Sequence, residues 1–200
     1  MIGYLYKISE KPTDLARRVV DDHKTRREWI AAPWPLIVLS DNTFSLLGWA
    51  IRHAQRRQHQ AGYYQHVMVL FRRGTVASQE FSGLTRLPLS QYMQGAHRLK
   101  AWHNPDWPSF RVAAALRYIR RRLDAPWYRR LYDPLSILGQ WLGLPWLQCP
   151  GLNNCSEFVA EVLRILEPEF DLANPTPSDI DSYCKKNAQF VVWGRYDPER

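Results

Sequence analysis

Cysteine is scarce in this sequence, with three residues among 200, at positions 149, 155 and 184. Three thiols cannot all pair in disulfides, and their spacing matches no zinc-binding motif. We therefore predict neither a disulfide framework nor a metal site, and we expect no cofactor. At least one thiol is free, which favours a reducing compartment.

Long apolar runs are also missing. No stretch approaches the roughly 20 apolar residues that a membrane-spanning helix needs. The first ten residues lack the basic segment and the following apolar run that together form a signal peptide. We therefore predict no integral membrane segment, no signal peptide and a cytoplasmic location.

Basic charge is abundant. The formal net charge is +8, and the arginines fall in short clusters such as residues 120–122 and 129–130. Nine tryptophans and ten tyrosines interleave with these clusters. Such a surface attracts anionic polymers, including nucleic acid, anionic lipid and wall polymer. Basic helix faces that simply contact solvent are the alternative.

The hydrophobic content of 46% suits one globular domain with an added arm. We predict an N-terminal arm or helix over residues 1–33 and a single domain over residues 34–200. Hydrophobic periodicity, turn residues and caps predict the individual elements. Strands are predicted at 2–8, 36–39, 63–71, 75–81, within 84–92 and at 189–193. Helices are predicted at 13–30, 43–58 and 110–123, and two more begin at 154 and 178. Between them we predict a turn at 40–42, an aromatic loop at 100–109 and an irregular stretch at 125–151.

The most informative stretch begins at Asn154, which is a good N-cap and has Glu157 three residues later, where the partner of a capping box lies. Cys155 then falls on the first turn of an amphipathic helix. Free backbone N–H groups and the helix dipole favour the thiolate at that position, and the same N–H groups can stabilise an oxyanion. A buried packing cysteine is the alternative.

A cysteine nucleophile needs a base and a third group that orients the base. His66 stands out among six histidines because it begins a strongly apolar strand. The predicted hairpin, which turns at residues 72–74, brings Glu80 back beside His66. We therefore predict a set of Cys155, His66 and Glu80, although a strand histidine is also often a core residue.

Around these three residues and in several further blocks, the sequence resembles the circularly permuted branch of the NlpC-like papain-fold cysteine hydrolases, in which the histidine precedes the cysteine. The resemblance covers roughly residues 34–195. The blocks that carry it are WPLIVLSD (34–41), YQHVMV (64–69), QEFSG (79–83), YDPLSILGQ (132–140), NCSEFV (154–159) and TPSDI (176–180).

The resemblance implies a compact α+β fold of the papain-like type, with a central antiparallel sheet packed against the helix that bears the cysteine. It implies Cys155 as the nucleophile, His66 as the general base and later acid, and Glu80 as the orienting residue. Tyr64 is the candidate for the second oxyanion donor, with a core or cleft-lining aromatic as the alternative. The family's glycine-aspartate turn is replaced here by Ser40-Asp41, a departure that bears on the shape of the cleft.

For function, the resemblance implies hydrolysis of an amide or ester bond, with bacterial cell-wall peptide stems as the natural substrate class. Some relatives act on lipid esters or as acyltransferases. A wall-lytic enzyme without a signal peptide needs another route outward, such as phage lysis or delivery inside a virion.

Two alternatives remain at this stage. A non-catalytic binding or structural module with the same fold, such as a virion component, would use the basic, aromatic surface to hold nucleic acid or a protein. Separately, Cys149 and Cys184 are either a redox or structural pair or, as we expect, buried and inert residues.

Overall fold

The computed structural model describes residues 24–42, 64–94, 97–142, 144, 147 and 149–196. The strand predicted at 2–8, the helix predicted at 43–58 and most of the helix predicted at 13–30 lie outside these residues. The described elements are α1 (Arg26–Ile30), β1 (Leu36–Asn42), β2 (His66–Arg72), β3 (Thr75–Glu80), β4 (Gly83–Pro88), a 3₁₀ helix (Leu89–Met93), β5 (His97–His103), α2 (Ser109–Leu123), a second 3₁₀ helix (Trp127–Arg129), α3 (Pro134–Leu142), α4 (Cys155–Leu166), α5 (Pro177–Lys186) and β6 (Val191–Tyr196).

The six described strands form one antiparallel sheet in the order β4-β3-β2-β1-β5-β6. The predicted α+β class is therefore confirmed. The predicted hairpin is also confirmed, because β2 and β3 pair around the turn at residues 73–74.

Side chains that alternate along the strands build a core on each face of the sheet. Val67 and Val69 pack on one face with α2 and α4, whereas Met68 and Leu70 pack on the other face with α1 and the first 3₁₀ helix. The central strands are buried on both faces, which explains why they are almost continuously apolar.

Helix α4 forms as predicted. The Asn154 side chain accepts a hydrogen bond from the Glu157 backbone N–H, and the Glu157 carboxylate accepts one from the Asn154 N–H. This capping box fixes the first residue of the helix. The apolar stripe, which includes the fully buried Phe158 and Val159, then packs the helix against the sheet.

The end of the predicted N-terminal arm packs on the sheet. Trp29 is fully buried and meets Trp193 edge to face, with ring centroids 5.1 Å apart. The backbone N–H of Lys24 donates to the Arg195 carbonyl at 2.9 Å. The proposed domain boundary between residues 33 and 34 stays a prediction.

Two sequence predictions were wrong because pairing within the sheet overrides local turn preference. Residues 40–42 were predicted as a turn but continue β1, where Ser40 lies opposite both His66 and Leu99. Residues 100–103 were predicted as part of a loop but belong to β5, which pairs with β1 and β6.

The short strand predicted within 84–92 forms as β4, and a 3₁₀ helix follows it at Leu89–Met93. Two helical features were misassigned. The stretch at 125–151 is not wholly irregular, because it contains α3, whose first N–H groups bond to Asp133. Thr176, not Ser178, caps α5, which places Pro177 at the first helical position that proline favours.

No helix in the described ranges is both long enough and apolar enough to span a membrane.

The turn after β3 lies unusually close to the segment at 130–131. Gly83 has φ +110°, and a Cβ built on it would lie 2.6 Å from the Arg130 carbonyl oxygen. The Leu84 N–H donates to that carbonyl at 2.6 Å, and Gln79 Nε2 donates to the carbonyls of Arg130 and Leu131 at 2.9 and 3.1 Å. These bonds fasten the segment before Tyr132 to the hairpin.

Replacing Gly83 by alanine should therefore lower the free energy of unfolding by about 2–4 kcal/mol, because backbone strain and a backbone clash act together. Gly151→Ala is the matched control, since Gly151 has φ +81° but nothing within 4 Å of its Cβ position. It should cost only about 1–2 kcal/mol. Urea denaturation of both variants measures the difference, and equal losses would argue against the close contact.

Candidate active site

Cys155 is the first residue of α4 and is 3% exposed. Because Asn154 caps the Glu157 N–H, the N–H groups of Cys155 and Ser156 have no acceptor within the helix. Two donors at the positive end of the helix dipole therefore lie at the residue that carries the thiol and at the next one. The Ser156 hydroxyl lies 3.8 Å from the sulfur.

His66 lies at the start of β2 and joins Cys155 to Glu80. Its Nε2 is 2.7 Å from Ser78 Oγ and 3.2 Å from Glu80 Oε1, which leaves Nδ1 available to Cys155. The charge and hydrogen-bonding groups of the imidazole act on the thiol, and so does the Val67 N–H. The structure thus brings together the three residues predicted as nucleophile, base and orienting group.

The charges of these groups stabilise one another. Burial alone would raise the pKa of Cys155, but the charge and hydrogen bond of His66 and the Val67 N–H outweigh it and lower the pKa. Burial would likewise lower the pKa of His66, yet the Cys155 and Glu80 charges raise it to about 10. Against burial, the His66, Ser78 and Tyr92 hydrogen bonds lower the pKa of Glu80 to about 2. The favoured state is a thiolate beside an imidazolium.

Ser78 and Tyr92 hold the Glu80 carboxylate and were missed in the sequence. The Ser78 hydroxyl donates to Glu80 Oε1 at 2.5 Å, and the Tyr92 hydroxyl also donates to Oε1. The Tyr92 ring stacks on the His66 ring at 6.1 Å. The i, i+2 spacing on one strand could have identified Ser78. Tyr92 comes from the 3₁₀ helix after β4, and no local pattern indicates it.

Tyr132 is a further residue at the thiol. It is 7% exposed, forms a parallel bridge with Asn153, and interacts electrostatically with the Cys155 thiol. Burial and the charge of Cys155 raise its pKa, so the hydroxyl keeps its proton and can donate. Tyr132 lies in one of the blocks that carry the resemblance, but no sequence pattern predicted a role for it. The exposed Phe81 ring lies 5.9 Å from its ring.

Buried Asp133 fixes the segment that carries Tyr132. Its Oδ1 accepts from the N–H groups of Leu135 and Ser136, and its Oδ2 accepts from the Cys149 N–H at 2.8 Å. Ser136 Oγ in turn accepts from Asn154 Nδ2 at 2.9 Å. The wall of the site and the cap of α4 are therefore one hydrogen-bonded unit.

Tyr64, the predicted oxyanion donor, lies beside Lys100. The Lys100 ammonium is 5.8 Å from its ring centroid, and Lys100 is paired with Asp181 at 2.6 Å. Burial and the Asp181 charge raise the pKa of Tyr64. Its role at the oxyanion stays a prediction.

A scan against protein-family models finds no match, and a search of curated proteins finds no match either. The resemblance to the permuted NlpC-like hydrolases therefore rests on the motif residues alone.

The other two cysteines differ from Cys155 in their electrostatics. All three thiols are free. Cys184 is fully buried, and burial raises its pKa well above the ordinary value. Partial burial and the Asp133 charge raise the pKa of Cys149. Of the three, only Cys155 has a lowered pKa.

Cys155 should alkylate with iodoacetamide at neutral pH while Cys149 and Cys184 react little. Its thiolate is present above its lowered pKa and is lost only as the pH falls through that value. An ordinary thiol, with a pKa of about 8.5, loses reactivity about tenfold per pH unit below it. In His66→Ala the imidazolium is absent, so the Cys155 profile should move to the ordinary range or above.

Mass spectrometry of each cysteine across pH measures this, with Cys149 and Cys184 as internal controls. Ultraviolet absorbance of the thiolate, referenced to Cys155→Ser, gives the same pKa without requiring reagent access. An unchanged profile in His66→Ala would rule out the ion pair.

Proposed function

We propose that the chain is a thiol hydrolase that attacks an amide or ester carbonyl and forms an acyl-enzyme on Cys155. The observation that carries the proposal is that His66 lies 3.2 Å from Glu80 and interacts with the Cys155 thiol, with the thiol pKa lowered and the imidazole pKa raised. A residue that only fills the core needs no such partners.

In acylation the Cys155 thiolate attacks the carbonyl carbon and forms a C–S bond, and the carbonyl electrons move to oxygen. When the tetrahedral intermediate collapses, the C–N or C–O bond breaks and His66 gives its proton to the leaving amine or alcohol. In deacylation His66 takes a proton from water, which attacks the thioester. The carboxylic product leaves, and the thiolate and imidazolium are restored.

Glu80 acts on His66 rather than on the substrate. Its carboxylate stays ionised, since its pKa is about 2, and accepts at the Nε2 side of the ring. It thereby holds Nδ1 toward the sulfur and stabilises the imidazolium, as the third member of a triad does. Ser78 and Tyr92 orient the carboxylate.

The tetrahedral oxyanion needs preorganised donors. The backbone N–H of Cys155 is one, because it is uncapped at the start of α4. The Tyr132 hydroxyl is the other on this proposal, since it interacts with the Cys155 thiol and remains protonated.

Substrate class and fold family form the finer part of the proposal. A helix with the nucleophile at its N-terminus packed on an antiparallel sheet supports a permuted papain-like, NlpC-type arrangement. That resemblance favours a peptide substrate, with cell-wall peptide stems as the first to test. Lipid esters and acyl transfer to another nucleophile use the same acyl-enzyme and belong to the same screen.

A thiol-reactive acyl probe should label the protein at Cys155. Labelling should disappear in Cys155→Ala and persist in Cys184→Ala, which removes a buried thiol of high pKa. Glu80→Gln should slow labelling about tenfold or more, because the imidazolium loses its partner. Intact-mass and peptide mass spectrometry provide the readout. Undiminished labelling in Cys155→Ala would contradict the proposal.

The alternative, a non-catalytic binding module, predicts a different result for the wild type and the site variants. Nucleic-acid binding that falls steeply with salt and survives both Cys155→Ala and His66→Ala, together with an unreactive Cys155, would replace the enzyme proposal.

Tyr132→Phe should lower kcat on an acyl substrate by about tenfold to several hundredfold with little change in KM, as for loss of one oxyanion donor. Tyr64→Phe is the matched control and should change kcat by no more than about twofold. Steady-state kinetics of both variants decides between the two tyrosines. The reverse order of effects would assign the donor to Tyr64.

A further inference from the structure

A basic groove lies at the end of α2, outside the thiol site. Arg121 and Arg122 from the last turn of α2 line it, together with Ala125 and with Arg129 from the second 3₁₀ helix. Its volume is about 330 Å³, in the range of small-molecule sites. We call these four residues the arginine groove.

The charge of the arginine groove is of one sign. The described residues that line it contribute three guanidinium groups and no carboxylate. The negative end of a helix dipole favours arginines in the last turn, which accounts for Arg121 and Arg122. It does not account for Arg129, which follows in a separate element and completes the cluster.

Phosphate fits this lining better than a single carboxylate does. A phosphoryl group carries up to two negative charges and several acceptor oxygens, and guanidinium groups bind it through paired N–H donors. The exposed Trp127 and Tyr128 rings stand beside Arg129, whose guanidinium lies 6.0 Å from the Tyr128 ring centroid. Exposed aromatic rings next to arginine are typical of binding surfaces.

The arginine groove is connected to the thiol site. Arg122 Nη2 donates to Asn153 Oδ1 at 3.1 Å. Asn153 bridges Tyr132 and precedes Cys155 by two residues, a span of at most about 7 Å. Arg122 and Asn153 therefore link the groove to the segment that carries the thiol.

We propose that the arginine groove binds a phosphoryl group of the acyl substrate, so that the substrates are phosphate-bearing amides or esters. The assignment of this phosphoryl group to a substrate rests on the proposed thiol hydrolase. Anion binding in the groove does not depend on that proposal. The phosphoryl group belongs either to a lipid headgroup or to a water-soluble ester, and the groove recognises the chemistry that the two share.

Inorganic pyrophosphate is the first probe, titrated at low salt by calorimetry into the full chain. The test variant is Arg121→Gln/Arg129→Gln, and the matched control is Arg117→Gln/Arg120→Gln, which removes the same charge from exposed positions outside the groove lining. We expect affinity to fall about tenfold or more in the first variant and less than about threefold in the second. Equal weakening in both, or no binding to the wild type, overturns the inference.

Cys155→Ala separates this inference from the proposed function. Pyrophosphate binding that persists in Cys155→Ala but is lost in the groove variant supports the groove even if no acyl probe labels the protein. Acyl-probe labelling of a wild type that binds no pyrophosphate rejects the groove and leaves the hydrolase standing. Vesicles of phosphatidylcholine with and without phosphatidic acid then identify the source of the phosphoryl group. If it belongs to a lipid headgroup, the wild type binds the vesicles and the groove variant does not.

Discussion

The site depends on one pair of opposite charges, the Cys155 thiolate and the His66 imidazolium, held where little water reaches. A charge buried without partners is costly, and each ion makes the other tolerable only if further bonds complete its environment. At the sulfur these come from the Val67 N–H and the Ser156 hydroxyl. At the imidazole they come from Glu80 and its own hydroxyl donors. The arrangement of β2, β3 and α4 is what gives both ions their partners at one place.

The segment that carries Tyr132 must also be held at a fixed position relative to Cys155. Asp133 holds it by capping α3 and by accepting from the Cys149 backbone N–H, while Ser136 bonds to the N-cap of α4. The hairpin holds the other end of the same wall through Gln79. Tyr132 lies between these two attachments, so its hydroxyl is positioned by backbone and buried side chains rather than by a surface loop.

Local chemistry made part of this site predictable from sequence. The cap at Asn154 and the turn at residues 72–74 specify their neighbours within a few positions, and these two signals place Cys155 at a helix start and Glu80 opposite His66. Ser40 and its neighbours mislead because a strand partner satisfies backbone groups that a turn would otherwise satisfy. Tyr92 could not be found in this way, because its contact with Glu80 joins elements whose relative placement is set only by tertiary packing.

Cys155 and His66 lie far apart in the chain, and they meet only when α4 docks on the sheet. An incompletely folded chain therefore carries an ordinary thiol, protonated at neutral pH and slow to react. The helix start prepares the thiol, but the His66 charge acts on it only after this packing has formed. The acidity of one sulfur atom thus reports whether α4 has docked on the sheet.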